Sequence, residues 1–92
     1  MSEKLITKNE NPAIEIDLNV YPNPVKNVLH IVTNTESATL KLYDVSGRLV
    51  KQQQVNGKTV QQITVGYLKN GLYLLKIENA TGLTTKKIVI QN

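Results

Sequence analysis

The stretch Tyr21-Pro22-Asn23-Pro24 separates an alternating strand pattern from a run of turn-rich, strand-like segments. Neither proline carries a backbone N–H group, so neither fits within a hydrogen-bonded sheet. Each proline also restricts the residue before it, here Tyr21 and Asn23, to extended geometry. The stretch therefore predicts a stiff, extended corner that follows a first strand and precedes the rest of the fold.

The residues immediately before this corner predict a half-buried strand. Apolar residues at positions 14, 16, 18 and 20 alternate with polar residues at 15, 17 and 19. This period of two directs one apolar face toward a core and one acidic face toward solvent. Residues 1–13 are polar and lack such a period, so we expect them to be a flexible linker or an upstream remnant. The predicted domain spans residues 14–92.

Beyond the corner, six further segments have strand character. Among the turns between them, Asn56-Gly57 is the strongest hairpin signal, because both residues tolerate the positive φ of a type I′ turn. Arg48–Val55 is rich in glutamine, as in an edge strand, whereas Leu72–Glu78 is apolar on both faces, which favours cover on both sides. The six predicted strands are Val28–Thr33, Thr39–Tyr43, Arg48–Val55, Val60–Val65, Leu72–Glu78 and Lys86–Gln91.

Seven short strands with turns about every ten residues predict an all-β sandwich. Because side chains alternate along a strand, the apolar face of each strand identifies the side chains that point inward. The predicted core consists of Leu29, Ile31, Leu40, Leu42, Tyr73, Leu75, Ile77, Ile88 and Ile90.

Length and composition limit what the chain does. Its 92 residues suit one domain, and it contains no cysteine for a disulfide or a thiolate metal site. The net charge is +4, but only one arginine is present and the lysines are dispersed, so we expect no nucleic-acid binding. No apolar run approaches the roughly 20 residues of a membrane helix, and Met1–Lys4 is not followed by a secretory signal, so the chain is either intracellular or part of a longer protein.

The residues indicate no catalytic or cofactor chemistry. His30, the single histidine, lies on the strand face opposite Leu29 and Ile31, without a recognisable nucleophile or metal-ligand spacing. The acidic residues are dispersed, and the pair Glu15 and Asp17 is typical of a solvated strand face. We therefore predict a chain that is not an enzyme and that has no cofactor or metal.

Four motifs in order give the chain a family resemblance. From about Val20 to Asn92 it resembles the C-terminal sorting domain of Bacteroidota proteins exported by the type IX (Por) secretion system. The motifs are Tyr21-Pro22-Asn23-Pro24, Asp44-Val45-Ser46-Gly47, Gly71-Leu72-Tyr73 and the basic, β-branched end Lys86-Lys87-Ile88-Val89-Ile90.

The resemblance implies a seven-stranded Ig-like antiparallel β-sandwich. It also implies a domain that directs an N-terminal cargo domain through the outer-membrane translocon. The implied partners are the type IX machinery, namely its translocon, shuttle and sortase proteins, and a sortase usually then removes the domain. The parent protein would be secreted or held at the cell surface, after passage through the periplasm, without inserting into the membrane.

Each motif has a structural role beside its implied role in recognition. The prolines shape a corner or contact a partner, the aspartate and first glycine form a turn, and the second glycine and tyrosine free the backbone and fill the core. The two lysines point to opposite faces of the last strand, where they act in recognition or guard an edge against aggregation. The recognition candidates are Pro22, Asn23, Pro24, Asp44, Gly47, Gly71, Tyr73, Lys86 and Lys87.

Two alternatives to a sorting domain remain open at this point. An adhesive or carbohydrate-binding Ig-like module would need exposed aromatic platforms, for which Tyr21, Tyr43 and Tyr67 are the available side chains. A structural spacer domain of a surface protein would need no binding surface.

Overall fold

Seven strands form in the part of the chain that the computed structural model describes, residues 16–56, 60–80 and 82–92. Within these ranges no helix is long and apolar enough to cross a membrane. The strands are β1 Leu18–Tyr21, β2 Val28–Thr33, β3 Ser37–Tyr43, β4 Leu49–Asn56, β5 Gln61–Thr64, β6 Gly71–Glu78 and β7 Leu83–Ile90.

The strands form two antiparallel sheets that pack as a sandwich. The smaller sheet has the order β1-β2-β5 and the larger sheet has the order β4-β3-β6-β7. The chain crosses between sheets after β2, β4 and β5, so neighbours in sequence are often not neighbours in a sheet. The predicted sandwich is confirmed, and β4 lies at an edge as its glutamines indicated.

The hairpin predicted at Asn56-Gly57 is wrong. Strand β4 pairs with β3, and β5 pairs with β2 in the other sheet. The Asn-Gly signal indicates only a local turn preference, whereas the pairing of each strand depends on which apolar side chains the pair buries. In β5, Ile63 lies opposite Leu29 and both are fully buried. Gly57 itself lies outside the described residues.

The core lies between the two sheets, and all nine residues predicted for it are buried, with Tyr73 the most exposed at 7%. Strand β6 differs from expectation on its other face, where Leu72 and Leu74 are 43% and 40% exposed. No described part of the chain covers that face. The additional buried apolar residues are Ile16, Leu18, Val25, Ala38, Val55, Ile63 and Val65.

The two ends of the fold follow the predicted alternation with different bounds. Strand β1 begins at Leu18, yet Ile16 is buried and Asp17 is exposed, as the period of two requires. Strand β7 begins at Leu83, three residues before the predicted start at Lys86. The predicted boundary at position 14 and the predicted linker 1–13 lie outside the described residues and stay predictions.

The last strand offers a direct test of this packing. Ile88 is 0% exposed, whereas its neighbours Lys86 and Lys87 are exposed. We expect Ile88→Ala to lower the free energy of unfolding by roughly 2–4 kcal/mol, through lost burial and the cavity left behind. The matched double variant Lys86→Ala/Lys87→Ala should change it by less than about 0.5 kcal/mol. Urea denaturation measures both, and equal effects of the two variants would contradict the assigned register.

Candidate recognition surface

The proline corner lies between β1 and β2, on the surface of the molecule. Pro22, Asn23 and Pro24 are all exposed, and both the Tyr21–Pro22 and Asn23–Pro24 peptide bonds are cis. The predicted corner is therefore present, and it carries the chain from the smaller sheet toward the edge of the larger one.

Asn23 binds the backbone of β7. Its side-chain amide donates to the carbonyl oxygen of Lys87 at 3.1 Å, and the backbone N–H of Val89 donates to its Oδ1 at 2.9 Å. One amide side chain thus satisfies a donor and an acceptor along the strand edge, as a neighbouring strand would.

Val25 continues the same contact with its own backbone. Its N–H donates to the carbonyl of Val89 and its carbonyl accepts from the N–H of Gln91, both at 2.9 Å. This short parallel bridge to β7 also buries the Val25 side chain, which is 1% exposed. We call the contact made by Asn23 and Val25 the edge clasp. It covers the outer edge of β7 from Lys87 to Gln91.

Asp44 and Gly47 form the predicted turn after β3. Oδ1 of Asp44 accepts from the Ser46 hydroxyl at 2.6 Å and from the backbone N–H groups of Ser46 and Arg48, each at 3.0 Å. Gly47 has a φ of 90°, which favours glycine, and its N–H donates to the Asp44 carbonyl. These hydrogen bonds, first that from the Ser46 side chain and then that from Arg48, lower the pKa of Asp44 below its ordinary value of 3.8.

Gly71 and Tyr73 open β6 beneath the preceding loop. Gly71 has a φ of 151°, which other residues rarely adopt. The hydroxyl of the buried Tyr73 side chain donates a hydrogen bond to the carbonyl oxygen of Lys69, at 2.7 Å. Asn92 holds the same loop from the other side, because its backbone N–H donates to Oδ1 of Asn70 at 2.9 Å. The loop before β6 is therefore anchored both from the core and from the end of β7.

Lys86 and Lys87 are both exposed but lie on different sides of the larger sheet. Lys87 lines a hollow of about 420 Å³ on the outer side of that sheet. Lys86 lines a smaller, polar hollow beside β1. The prediction that the two side chains point to opposite faces is confirmed.

Four of the nine candidates meet at one place. Asp44, Gly47, Tyr73 and Lys87 line the hollow of about 420 Å³, whereas Lys86 does not. Its remaining lining residues are Tyr43, Val45, Leu72, Leu74 and Lys76. The structure thus brings the turn, the β6 motif and one terminal lysine together on a single surface.

Sequence reasoning missed two features of this surface. The first is that Asn23 binds β7. The flanking prolines were the only signal for this contact, since a side chain held between two rigid residues is fixed in direction. The second is the exposure of Leu72 and Leu74, because the apolar pattern of β6 had predicted that both faces of this strand are covered. The partner of a strand edge or a sheet face is a tertiary property that local pattern does not encode.

The three tyrosines proposed as an aromatic platform do not share a surface element. Tyr21 stacks on His30 in the smaller sheet, with ring centroids 5.0 Å apart. In the larger sheet, Lys76 lies 5.3 Å from the centre of the Tyr43 ring, and Lys51 lies 5.7 Å from that of Tyr67. Each ring thus contacts a neighbouring side chain of its own.

Comparison with known families gives one match across most of the domain. Residues 19–91 match the family described as the secretion system C-terminal sorting domain. The match includes every motif on which the resemblance rested.

Two curated relatives carry a segment similar to this chain. An endo-acting ulvan lyase of Formosa agariphila is 28% identical over 88 residues, which is 94% of this chain and 17% of the lyase. Beta-agarase D of Zobellia galactanivorans is 39% identical over 74 residues, which is 79% of this chain and 15% of the agarase. The chain therefore spans less than a fifth of the length of either relative.

Two solved structures share the fold. PorZ, described as an essential surface component of the type IX secretion system of Porphyromonas gingivalis, superposes with a TM-score of 0.67 at 16% identity, covering 82% of this chain and 11% of PorZ. A DUF3244 family protein from Bacteroides vulgatus with an immunoglobulin-like β-sandwich superposes with a TM-score of 0.65 at 15% identity, covering 87% of this chain and all of that protein. The predicted Ig-like class is confirmed.

The edge clasp predicts a specific cost for losing the Asn23 amide. Asn23→Ala removes both side-chain hydrogen bonds to β7, and we expect a loss of about 1–2 kcal/mol in the free energy of unfolding. Asn23→Asp retains the acceptor for the Val89 N–H but not the donor to the Lys87 carbonyl. Its free energy of unfolding should therefore fall by at least the contribution of one hydrogen bond. Asn19→Ala, on the exposed face of β1, is the matched control. Urea denaturation measures the stability of each variant. Wild-type stability of Asn23→Ala would show that the Asn23 side chain does not help to hold β7.

The lowered pKa of Asp44 predicts how stability depends on pH. The unfolded chain takes up a proton at this residue near pH 3.8, while the folded turn resists protonation until lower pH. The contribution of the charged turn is therefore complete above that pH and is lost as the pH falls through the folded value. Urea denaturation from neutral to acidic pH should show this component in the wild type and not in Asp44→Asn, which keeps an acceptor without titrating. Parallel pH profiles for the two proteins would contradict the prediction.

Proposed function

This chain belongs to the family of secretion system C-terminal sorting domains, a sorting signal for type IX export, and we propose that it performs this role as a folded ligand without chemistry of its own. The machinery would read the surface of the sandwich, and the domain would direct whatever protein precedes it. The match over residues 19–91 is the observation that carries the proposal.

The lengths of the relatives support a division of labour between cargo and tail. The ulvan lyase and the agarase are named for their enzymatic activities, and this chain corresponds to 17% and 15% of them. We infer that the activities reside in the remainder of those proteins. By the same reasoning, the parent protein of this chain carries its own N-terminal cargo domain and leaves the cell through the periplasm, to the surface or the medium.

The proposed partners are the proteins of the type IX machinery, in the order in which cargo meets them. A shuttle or translocon protein would bind the folded domain, and a sortase would then remove it. Four of the nine recognition candidates fall into two groups under this proposal. Asp44, Gly71 and Tyr73 serve mainly by holding the fold, because their polar groups and backbone are committed to internal turns and hydrogen bonds. The Lys87 side chain has no carboxylate partner among the described residues, so its charge is available to a partner protein.

An export assay tests the proposed function. A reporter with a secretory signal peptide is fused ahead of residues 1–92 and expressed in a type IX-competent Bacteroidota strain and in a matched strain without the translocon. We expect the reporter at the cell surface or in the medium only in the competent strain. Deletion of residues 86–92 removes the strand that the edge clasp holds, and we expect the reporter then to stay in the periplasm.

The matched control is the same reporter without the 92-residue tail. Delivery that does not depend on the tail, or that continues without the translocon, would overturn the proposal. Normal delivery after deletion of residues 86–92 would also overturn it, because the final strand would then carry no part of the signal.

A further inference from the structure

The outer side of the larger sheet is apolar at the end near the Asp44–Gly47 turn, where a solvated sheet face is ordinarily polar. Its side chains form cross-strand rows, and one row runs Leu49–Tyr43–Leu74–Lys87 across all four strands. The next row pairs Leu72 with Val89. We call this surface the outer face, and define it by Tyr43, Leu49, Leu72, Leu74, Lys76, Lys87 and Val89.

The apolar residues of the outer face are substantially exposed. Leu49, Leu72, Leu74 and Val89 are between 38% and 45% exposed, and Val45 on the adjoining turn is 78% exposed. Scattered exposed apolar residues are normal, but a contiguous group on one sheet face marks an interaction surface. The hollow of about 420 Å³ lies within this group, between the Asp44–Gly47 turn and Lys87.

Lysines border the apolar residues of the outer face, which we call its apolar floor. Lys41 and Lys76 lie directly opposite each other on β3 and β6, an arrangement in which like charges repel. Lys41 pairs with Glu78 at 3.6 Å, whereas Lys76 lies over the Tyr43 ring. Lys87 has no carboxylate partner among the residues that the structure describes. Glu78 and the Asp44 carboxylate of the hollow are the acidic groups here, and Asp44 pairs with Arg48 at 3.3 Å. With Lys41, Lys76 and Lys87 counted, the outer face keeps a net positive charge.

We propose that the outer face is the docking surface for an acidic protein of the export machinery, one that places an apolar side chain in the hollow and carboxylates against Lys76 and Lys87. The inference rests on the proposed function and assigns the part of the domain that the machinery contacts. Charge complementarity is its main support, because opposite charges around an apolar centre give both steering and specificity.

The charge and the shape of the outer face argue against other occupants. A second copy of this chain would bring its own lysines against Lys76 and Lys87, and like charges across an interface are unfavourable. A lipid surface is bound by apolar groups that project into it, often aromatic ones. Here Val45, Leu72 and Leu74 line a hollow, and the chain contains no tryptophan or phenylalanine.

The inference separates the two terminal lysines, which offers a matched test. Lys87 borders the hollow and Lys86 lies on the other side of the sheet. In the export assay, we expect Lys76→Glu/Lys87→Glu to reduce surface delivery by roughly tenfold, the effect of losing one interface hot spot. Lys86→Glu should deliver the reporter as the wild type does.

A second pair of variants tests the apolar floor. Leu72→Thr/Leu74→Thr keeps side chains that favour strands but removes the apolar surface, and we expect a similar fall in delivery. Val32→Thr is the control, since Val32 on the smaller sheet is as exposed as Val89, at 38%. Thermal melts of each purified variant accompany the assay. A lower melting temperature of the threonine variant would leave its loss of delivery open to an explanation by unfolding. Lys76→Glu/Lys87→Glu leaves every apolar residue in place, so it tests the outer face independently.

The outcomes distinguish this inference from the proposed function. If the wild-type tail delivers the reporter and both outer-face variants deliver it equally well, the outer face is not the docking surface, although the sorting role stands. If the wild-type tail itself fails, the proposed function fails. Two further measurements test the choice of an acidic protein: sedimentation velocity of the purified chain, and its binding to vesicles of phosphatidylglycerol and phosphatidylcholine. Self-association or vesicle binding that is lost in Leu72→Thr/Leu74→Thr would overturn that choice.

Discussion

The edge clasp is the contact on which the arrangement of the rest of the domain depends. Strand β7 has a partner on one side only, and an open strand edge pairs readily with other chains. Asn23 and Val25 occupy that edge from Lys87 to Gln91. Because these two residues lie between β1 and β2 of the other sheet, the clasp also ties the two sheets together at one end of the sandwich.

The clasp also determines what β7 presents to its surroundings. Holding β7 in register keeps Ile88 and Ile90 in the core, where they are almost fully buried. Since side chains alternate along a strand, Lys87 and Val89 then point outward beside β6. The lysine and the apolar floor of the outer face therefore share a geometric cause with the packing of the core, and a slip of one residue would bury the lysine and expose the isoleucines.

The parts of the fold that follow from local pattern were predictable from the sequence, and those that follow from strand partnership were not. Alternation identified Leu29, Ile31 and Ile88 as core residues, because burial on one face leaves a period of two. The hairpin expected at Asn56-Gly57 failed because turn preference is local, whereas the pairing of β5 with β2 depends on a strand more than 25 residues away. The contact of Asn23 with β7 spans 64 residues or more, and no local rule reaches that far.

The candidate surface shows the same division between local pattern and tertiary partnership. The apolar pattern of β6 correctly indicated two apolar faces, but the second one has no cover within the described chain. Lysines beside such a face oppose pairing between copies, which is a common protection for exposed sheet surfaces. The two roles considered for the terminal lysines, protection and recognition, are therefore not alternatives for Lys87. A charge that repels a second copy of the same face attracts a partner of opposite charge. Under the docking that we propose, Lys87 would therefore both discourage aggregation before export and favour binding of the acidic partner.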